Sequence, residues 1–254
     1  MKARFLVPKR KISGGNMGRL IVSVLGPKGG VGKSTLSRLI ATAYANSDWT
    51  VKIADFNTKQ KTSVNWAARR IHQGVTPEIP AEAFCSMKKV MKEPYELVVC
   101  DGRPDSDATS LDIAKAADVI IIPCGVSFDD LEPQVLFANE LLNRGVNRNK
   151  ILFVFNKTAD SQVAIEDARE YITSVGYAVT QNDLAWKTGY QIAQNSGRSV
   201  METLYKTLND RAIDLVNEIM KFGNDKLKEN AASLNSSCQR RQKPFGKAPP
   251  LLKF

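Results

Sequence analysis

Apolar residues gather along the chain in short, nearly unbroken runs: Leu20–Leu25, Val51–Ala54, Leu97–Cys100, Val119–Pro123 and Ile151–Phe155. Runs of this length, without polar alternation, are the signature of strands buried on both faces. The segments between them carry helical spacing or charge. After the first run, Leu36, Leu39, Ile40, Ala43 and Tyr44 fall at i, i+3, i+4, i+7 and i+8, one apolar stripe of a helix that opens at Lys33, Ser34 and Thr35. Strand alternating with helix predicts an α/β fold, a mostly parallel sheet with helices on both faces. Further on come a short run at Tyr177–Val179, a polar stretch from Gln181 to Arg198 that reads as loops and short helices, and a closing helix expected over Ser199–Phe222 on Leu204, Leu208, Ile213, Val216 and Met220.

Composition then divides the chain. Residues 1–18 end in Ser13-Gly-Gly-Asn-Met-Gly18, a linker composition, and are expected to form a basic flexible arm. Residues 19–222 read as one domain. From Gly223 the composition shifts, and 239–254 hold three prolines and five basic residues with no acid, so 223–254 are expected to be a basic, disordered tail. The formal charge is +10, yet residues 20–220 carry a net −2, because residues 1–19 hold six Lys/Arg without an acid and 221–254 hold eight against two. Basic extremities on a nearly neutral body point to an anionic polymer or surface as partner.

Cys85, Cys100, Cys124 and Cys238 form no C-x-x-C pair, and the sole histidine, His72, has no partner at metal-ligand spacing; neither a zinc site nor a disulfide framework is supported. Cys100 and Cys124 lie in or beside apolar runs and read as core residues, which argues against an iron–sulfur site. No stretch is long and apolar enough for a signal peptide or a membrane span. A cytoplasmic protein with reduced thiols is expected.

Ligands of parallel sheets sit at the carboxyl ends of the strands, where the chemistry-bearing residues cluster here. The first run leads into Lys28-Gly29-Gly30-Val31-Gly32-Lys33-Ser34-Thr35. Successive N–H groups of such a turn and of the following helix N-terminus form a concavity that suits a polyphosphate. Lys33 is expected to reach the β- and γ-phosphates and the Ser34 hydroxyl to ligate Mg²⁺. The strict G-x-x-x-x-G-K-[ST] pattern is not met, since Pro27 stands where the first glycine belongs and a second lysine, Lys28, opens the loop. Asp101 closes the third run, as a carboxylate that holds Mg²⁺ directly or through water. Asp55 closes the second, followed by Asn57. Asn156-Lys157 follows the fifth, but Ala159 occupies the position at which a guanine-reading motif has its acid; adenine is therefore expected, with Asn156 as a base contact.

The stretch Lys28–Thr35 resembles the deviant Walker A motif of the ParA/MinD superfamily of P-loop ATPases. The resemblance implies ATP and Mg²⁺ as cofactors and an ATP-sandwiched homodimer in which Lys28 reaches the partner's nucleotide. Asp55, Asn57 and the pair Asn65-Trp66 resemble switch I of the small, ParF-like ParA proteins, with Asn57 standing where the family has a second aspartate. Gly102-Arg103-Pro104-Asp105 occupies the place of switch II. Val119–Leu131 and Ser196–Glu202 resemble further family segments, so that the likeness spans about residues 20–220. It implies an ATP-dependent DNA-partition ATPase, plasmid-encoded and nucleoid-associated, that binds DNA non-specifically and is stimulated by a ParB-like partner. Lys187, Arg198, Arg240, Arg241, Lys243 and Lys247 are the candidate DNA contacts. Because an amide cannot take a proton from the attacking water, Asn57 implies slow hydrolysis, and a ParA-like adaptor of conjugative transfer with weak turnover is the alternative. A MinD-like membrane ATPase is disfavoured, because Pro249 and Pro250 leave only Leu251–Phe254 for an amphipathic helix.

Overall fold

The computed structural model describes residues 19–104, 107–159 and 161–241, with residues 230–241 as backbone only. Strand β1 (Leu20–Val24) leads through the glycine loop into α1 (Lys33–Ala45), and β2 (Val51–Asp55) into α2 (Thr62–His72). A short β3 (Ala81–Ala83), α3 (Met87–Val90), β4 (Leu97–Asp101) and α4 (Ala108–Ala116) follow, then β5 (Val119–Cys124), α5 (Phe128–Asn143), β6 (Ile151–Thr158) and α6 (Gln162–Ser174). The chain closes with β7 (Ala178–Val179), β8 (Leu184–Ala185), α7 (Thr188–Asn195) and the long α8 (Lys206–Arg241).

The sheet order is β3-β2-β4-β1-β5-β6-β7, with β8 paired to β6, and every pairing is parallel. The strand alternation sorts side chains to two cores. Leu20, Val22 and Val24 face α1, α2, α7 and α8, whereas Ile21 and Leu25 face the side covered by α3 to α6. All residues of β1, β2, β4 and β5 are buried, as a sheet covered on both faces demands. Because β4 and β5 flank β1 on either side, the chain winds outward in both directions from it, and the loop after β1 sits where a ligand of such a sheet binds.

Two expectations are corrected. The closing helix begins at Lys206 rather than Ser199, and it does not stop at Phe222. Gly223 does not end it, because here the glycine serves close approach: a Cβ at this position would stand 3.0 Å from Tyr44 Oη. Beyond it the sequence offers lysines, glutamate, leucine and alanines, and no proline before Pro244, so nothing breaks the helix. Residues 223–241 of the expected disordered tail are therefore helical. The arm 1–18 and residues 242–254, Lys243 and Lys247 among them, lie outside the described residues.

Candidate nucleotide site

The loop between β1 and α1 is shaped by glycines in left-handed conformations, Gly30 at φ 78° and Gly32 at φ 93°. Gly32 is the N-cap of α1, no side chain caps the helix among the described residues, and its first turn carries no acid. The N–H groups of Lys33, Ser34 and Thr35 therefore lack an intrahelical partner where the glycine loop meets the helix. Gly32 also has no room for a side chain, since a Cβ there would lie 1.9 Å from Asn156 Nδ2. That amide donates to Val31 O at 2.7 Å, and Asn156 is only 2 % exposed. Asn156, the residue expected at the base, braces the loop from the end of β6. Its neighbour Lys157 donates to Gly30 O at 2.5 Å and lies over the exposed Trp186 ring at 4.7 Å.

The two lysines of the motif have different environments. Lys33 is buried and donates to Gly26 O at 2.9 Å and Lys28 O at 2.8 Å. Burial pushes its ammonium down to about 8, against the pull of Asp101. Lys28 points outward, 39 % exposed, paired with Asp130 at the start of α5 and donating to Asp129 O at 3.2 Å. Burial opposes the charge on Asp130, but hydrogen bonds from Lys28 and Ser127 prevail and hold it below its ordinary value.

Asp55 and Asp101 end adjacent strands in register. The oxygens of Asp55, fully buried, accept from Asn57 N–H at 2.9 Å, Ser63 N–H at 2.8 Å and Val64 N–H at 3.3 Å. It thus ties β2 to the start of α2, a structural task within the segment expected as switch I. Asn57 closes the intervening turn, its Oδ1 accepting from Gln60 N–H at 3.1 Å and its Nδ2 donating to Gln60 Oε1 at 2.9 Å.

Asp101 is 2 % exposed, with Oδ2 accepting from Ser63 Oγ at 2.6 Å and Oδ1 buried without a hydrogen-bond partner among the described residues. Burial and the neighbouring Asp55 raise its pKa, while Ser63, Ser34 and Arg38 favour the charged form. An orphaned carboxylate oxygen beside a serine at the foot of a phosphate cradle fits a hard divalent cation, so Asp101 and Ser34 suit Mg²⁺. Gly102 follows with no room for a side chain, since a Cβ would meet Leu25 Cδ2 at 2.6 Å and Val24 O at 2.8 Å.

Several participants lie outside the sequence-based expectations. Arg38, off the apolar stripe of α1, is buried and donates to Ser63 Oγ, Thr62 O and Gln194 Oε1. Thr35 Oγ1 reaches the same Gln194 at 3.3 Å. Arg70 of α2 is fully buried in a bidentate pair with Glu202, at 2.7 and 2.8 Å, and also donates to Pro77 O and Gly197 O. Arg70 follows shortly after Asn65-Trp66 and Glu202 closes the Ser196–Glu202 segment, both places that the family resemblance singles out; for Arg38 and Gln194 the sequence carries no signal.

The candidate DNA contacts are only partly brought together. Lys187 and the exposed Arg198 stand at the two ends of α7, an eight-residue helix about 12 Å long. Arg240 and Arg241 end α8, remote in sequence from both. Among the described residues no helix is long and apolar enough to cross a membrane, and no cluster of His, Cys, Asp or Glu could hold a metal by itself.

Solved structures share this architecture at low sequence identity. A candidate plasmid partition protein of Borrelia burgdorferi bound to AMPPNP is 14 % identical, with TM-score 0.63 over 80 % of this chain and 100 % of that one. The septum site-determining protein MinD of Pyrococcus horikoshii, complexed with Mg-ADP, is 14 % identical, with TM-score 0.64 over 82 % and 99 %. Apo McdA of Cyanothece is 15 % identical, with TM-score 0.61 over 80 % and 100 %. No curated protein sequence matches the chain. At family level the match is extensive, running over residues 22–240 and taking in the glycine loop, both strand-end carboxylates and most of α8; the chain belongs to the CobQ/CobB/MinD/ParA nucleotide binding domain family.

Proposed function

We propose that the chain is an ATP-dependent partition ATPase of the ParA type, a switch that closes as an ATP-sandwich homodimer, binds DNA non-specifically and reopens on hydrolysis stimulated by a ParB-like partner. The observation that carries this reading is the division of labour between the two loop lysines. Lys33 is folded into the cradle, whereas Lys28 lies on its outer rim, held by an ion pair to Asp130 and a hydrogen bond to Asp129 O that are open to solvent. An exposed pair of this kind contributes about 0–1 kcal/mol, so a partner's phosphates can draw Lys28 away at little cost.

The chain's own residues suit the remaining steps. The free N–H groups of Lys33, Ser34 and Thr35 receive phosphate oxygens. Lys33 exchanges the Gly26 and Lys28 carbonyls for phosphate. Ser34 and Asp101 are the residues to hold Mg²⁺, which when bound neutralises charge on the phosphate oxygens. Asn57 can hold a water through its amide but cannot accept its proton, which makes slow basal turnover the expectation. Lys187, Arg198, Arg240, Arg241, Lys243 and Lys247 are the basic residues assigned to DNA.

Gel filtration with and without a non-hydrolysable ATP analogue, run beside DNA binding under both conditions, tests the reading. A shift to dimer together with gain of DNA binding supports it; a protein that stays monomeric with the analogue overturns the sandwich. Asn57 favours one second reading, a ParA-like adaptor of conjugative transfer in which ATP state rather than turnover recruits partners. That reading predicts the same ATP-dependent dimer with hydrolysis unresponsive to a stimulating partner.

A further inference from the structure

Arg38 is a buried cation without a place in the phosphate cradle. It is 5 % exposed on α1, and its guanidinium is divided between two elements: Nη2 donates to Thr62 O at 2.8 Å and Nε to Ser63 Oγ at 3.4 Å, both on α2, while Nη1 donates to Gln194 Oε1 of α7 at 3.0 Å. Burial pushes its pKa down to about 10, with the Asp101 charge as the leading counterweight. A group that costs this much to bury is offset by its hydrogen bonds and by the two carboxylates at the strand ends, and it has an effect on them in turn.

The polarity of the hydrogen bonds shows what that effect is. Arginine only donates, so Ser63 Oγ must present a lone pair to Arg38 and direct its proton elsewhere. The proton goes to Asp101 Oδ2, 2.6 Å away. With Oδ2 fixed from the α2 side, the remaining oxygen, Oδ1, is the one left unpaired and buried. Asp55 is less suited to this task, since its oxygens already receive three backbone N–H groups. Resting on the assignment of Asp101 and Ser34 to Mg²⁺, we propose that Arg38 is a positioning residue for the magnesium carboxylate, acting through the Ser63 hydroxyl to keep one oxygen of Asp101 committed and the other free.

Removal of an outer partner of a metal-ligating carboxylate weakens metal affinity by about 10- to 100-fold, and a positioning role confines that loss to the metal-dependent part of binding. The test is equilibrium titration of the full chain with a fluorescent ADP analogue, in Mg²⁺ and in EDTA, for wild type, Arg38→Gln, Ser63→Ala and Ser63→Thr. Wild type gains affinity on adding Mg²⁺. Arg38→Gln and Ser63→Ala lose that gain by about tenfold or more while binding the analogue in EDTA within about twofold of wild type, and Ser63→Thr, which keeps the hydroxyl, restores it. The two losing variants combined fall no further than either alone, because both break one chain.

Equal losses with and without Mg²⁺ mean that Arg38 only supports the fold and overturn the proposal. So does an unchanged Mg²⁺ gain in Arg38→Gln or in Ser63→Ala. Should Arg38→Gln fail to fold by circular dichroism, the Ser63 pair decides alone, since alanine and threonine there leave the arginine in place. A wild type that binds the analogue equally in Mg²⁺ and EDTA refutes instead the magnesium assignment on which the proposal stands.

Discussion

Asn57 ties its amide to Gln60, accepting from the backbone and donating to the side chain, which leaves one N–H and one lone pair for a water. An aspartate keeps the first bond and, once Gln60 turns its amide over, can recover the second. What changes is chemistry: a carboxylate can take the proton of an attacking water, and general base catalysis contributes about 10² to 10⁴ in rate. Asn57→Asp is therefore expected to raise single-turnover ATP hydrolysis by about 10²-fold, and a rate equal to wild type would show that this position does not limit hydrolysis. Lys33 carries a pH signature of its own. Its folded pKa, lowered by burial to about 8, lies under an unfolded value of about 10.4. Between the two the unfolded chain binds more protons, so stability rises with pH in that window, and below about 8 the cost of burying the ammonium is carried in full. Phosphate needs the charged form, so its binding follows the opposite sign. ADP affinity, titrated in EDTA from pH 7 to 9.5, is expected to fall by up to about tenfold per pH unit above about 8, and Lys33→Gln to bind weakly at every pH with a flat profile.

At the scale of elements, α2 is locked to the segment before α8 by one buried ion pair. Arg70 meets Glu202 with both terminal guanidinium nitrogens, and Gly197 packs so closely that a Cβ there would lie 2.3 Å from Arg70 N. Removing one partner of such a pair leaves an uncompensated buried charge and costs about 3–5 kcal/mol. Glu202→Ala is expected to lower unfolding stability by that amount in denaturant titration, and Glu202→Gln to recover part of it through its remaining acceptor. The elements differ in how far the sequence discloses them, for physical reasons. β1, β2, β4, β5 and β6 are legible because a strand covered on both faces must be apolar without interruption. β3 and β8, of three and two residues, offer no run long enough to show a period. The end of α8 is misread from sequence because Gly223 looks like a stop, whereas here it admits Tyr44. In the site, the glycine loop and the strand-end acids announce themselves through spacing. Arg38 does not, since a charged residue off the apolar stripe reads as solvent-facing until α2 and α7 are known to cover it.

Across the whole molecule, the residues proposed to bind phosphate lie at the carboxyl ends of the central strands, while the excess positive charge lies at the ends of the chain. The body between residues 20 and 220 carries a net −2, so it does not attract a polyanion by its overall field. Whatever non-specific DNA affinity the protein has must then be concentrated in a few basic residues. Residues 230–254 hold Arg240, Arg241, Lys243, Lys247 and Lys253 with no acid, and among the side chains the structure describes, Leu227 is the last of α8 to pack on the core. Deleting 230–254 should therefore spare the fold and nucleotide binding. Every DNA phosphate that the protein no longer neutralises makes the slope of log affinity against log salt shallower by about 0.9. For wild type in the ATP state, a dimer that neutralises about six to ten phosphates loses roughly 10³ to 10⁵ in affinity between 50 and 200 mM salt. The truncated protein carrying Arg198→Ala is expected to bind DNA more weakly at low salt and with a distinctly shallower slope, at unchanged affinity for the ATP analogue. Affinity measured by anisotropy over that salt range decides it: a slope equal to wild type would place the DNA-binding residues on the body, and the charge at the C-terminal end would then serve a different anionic partner.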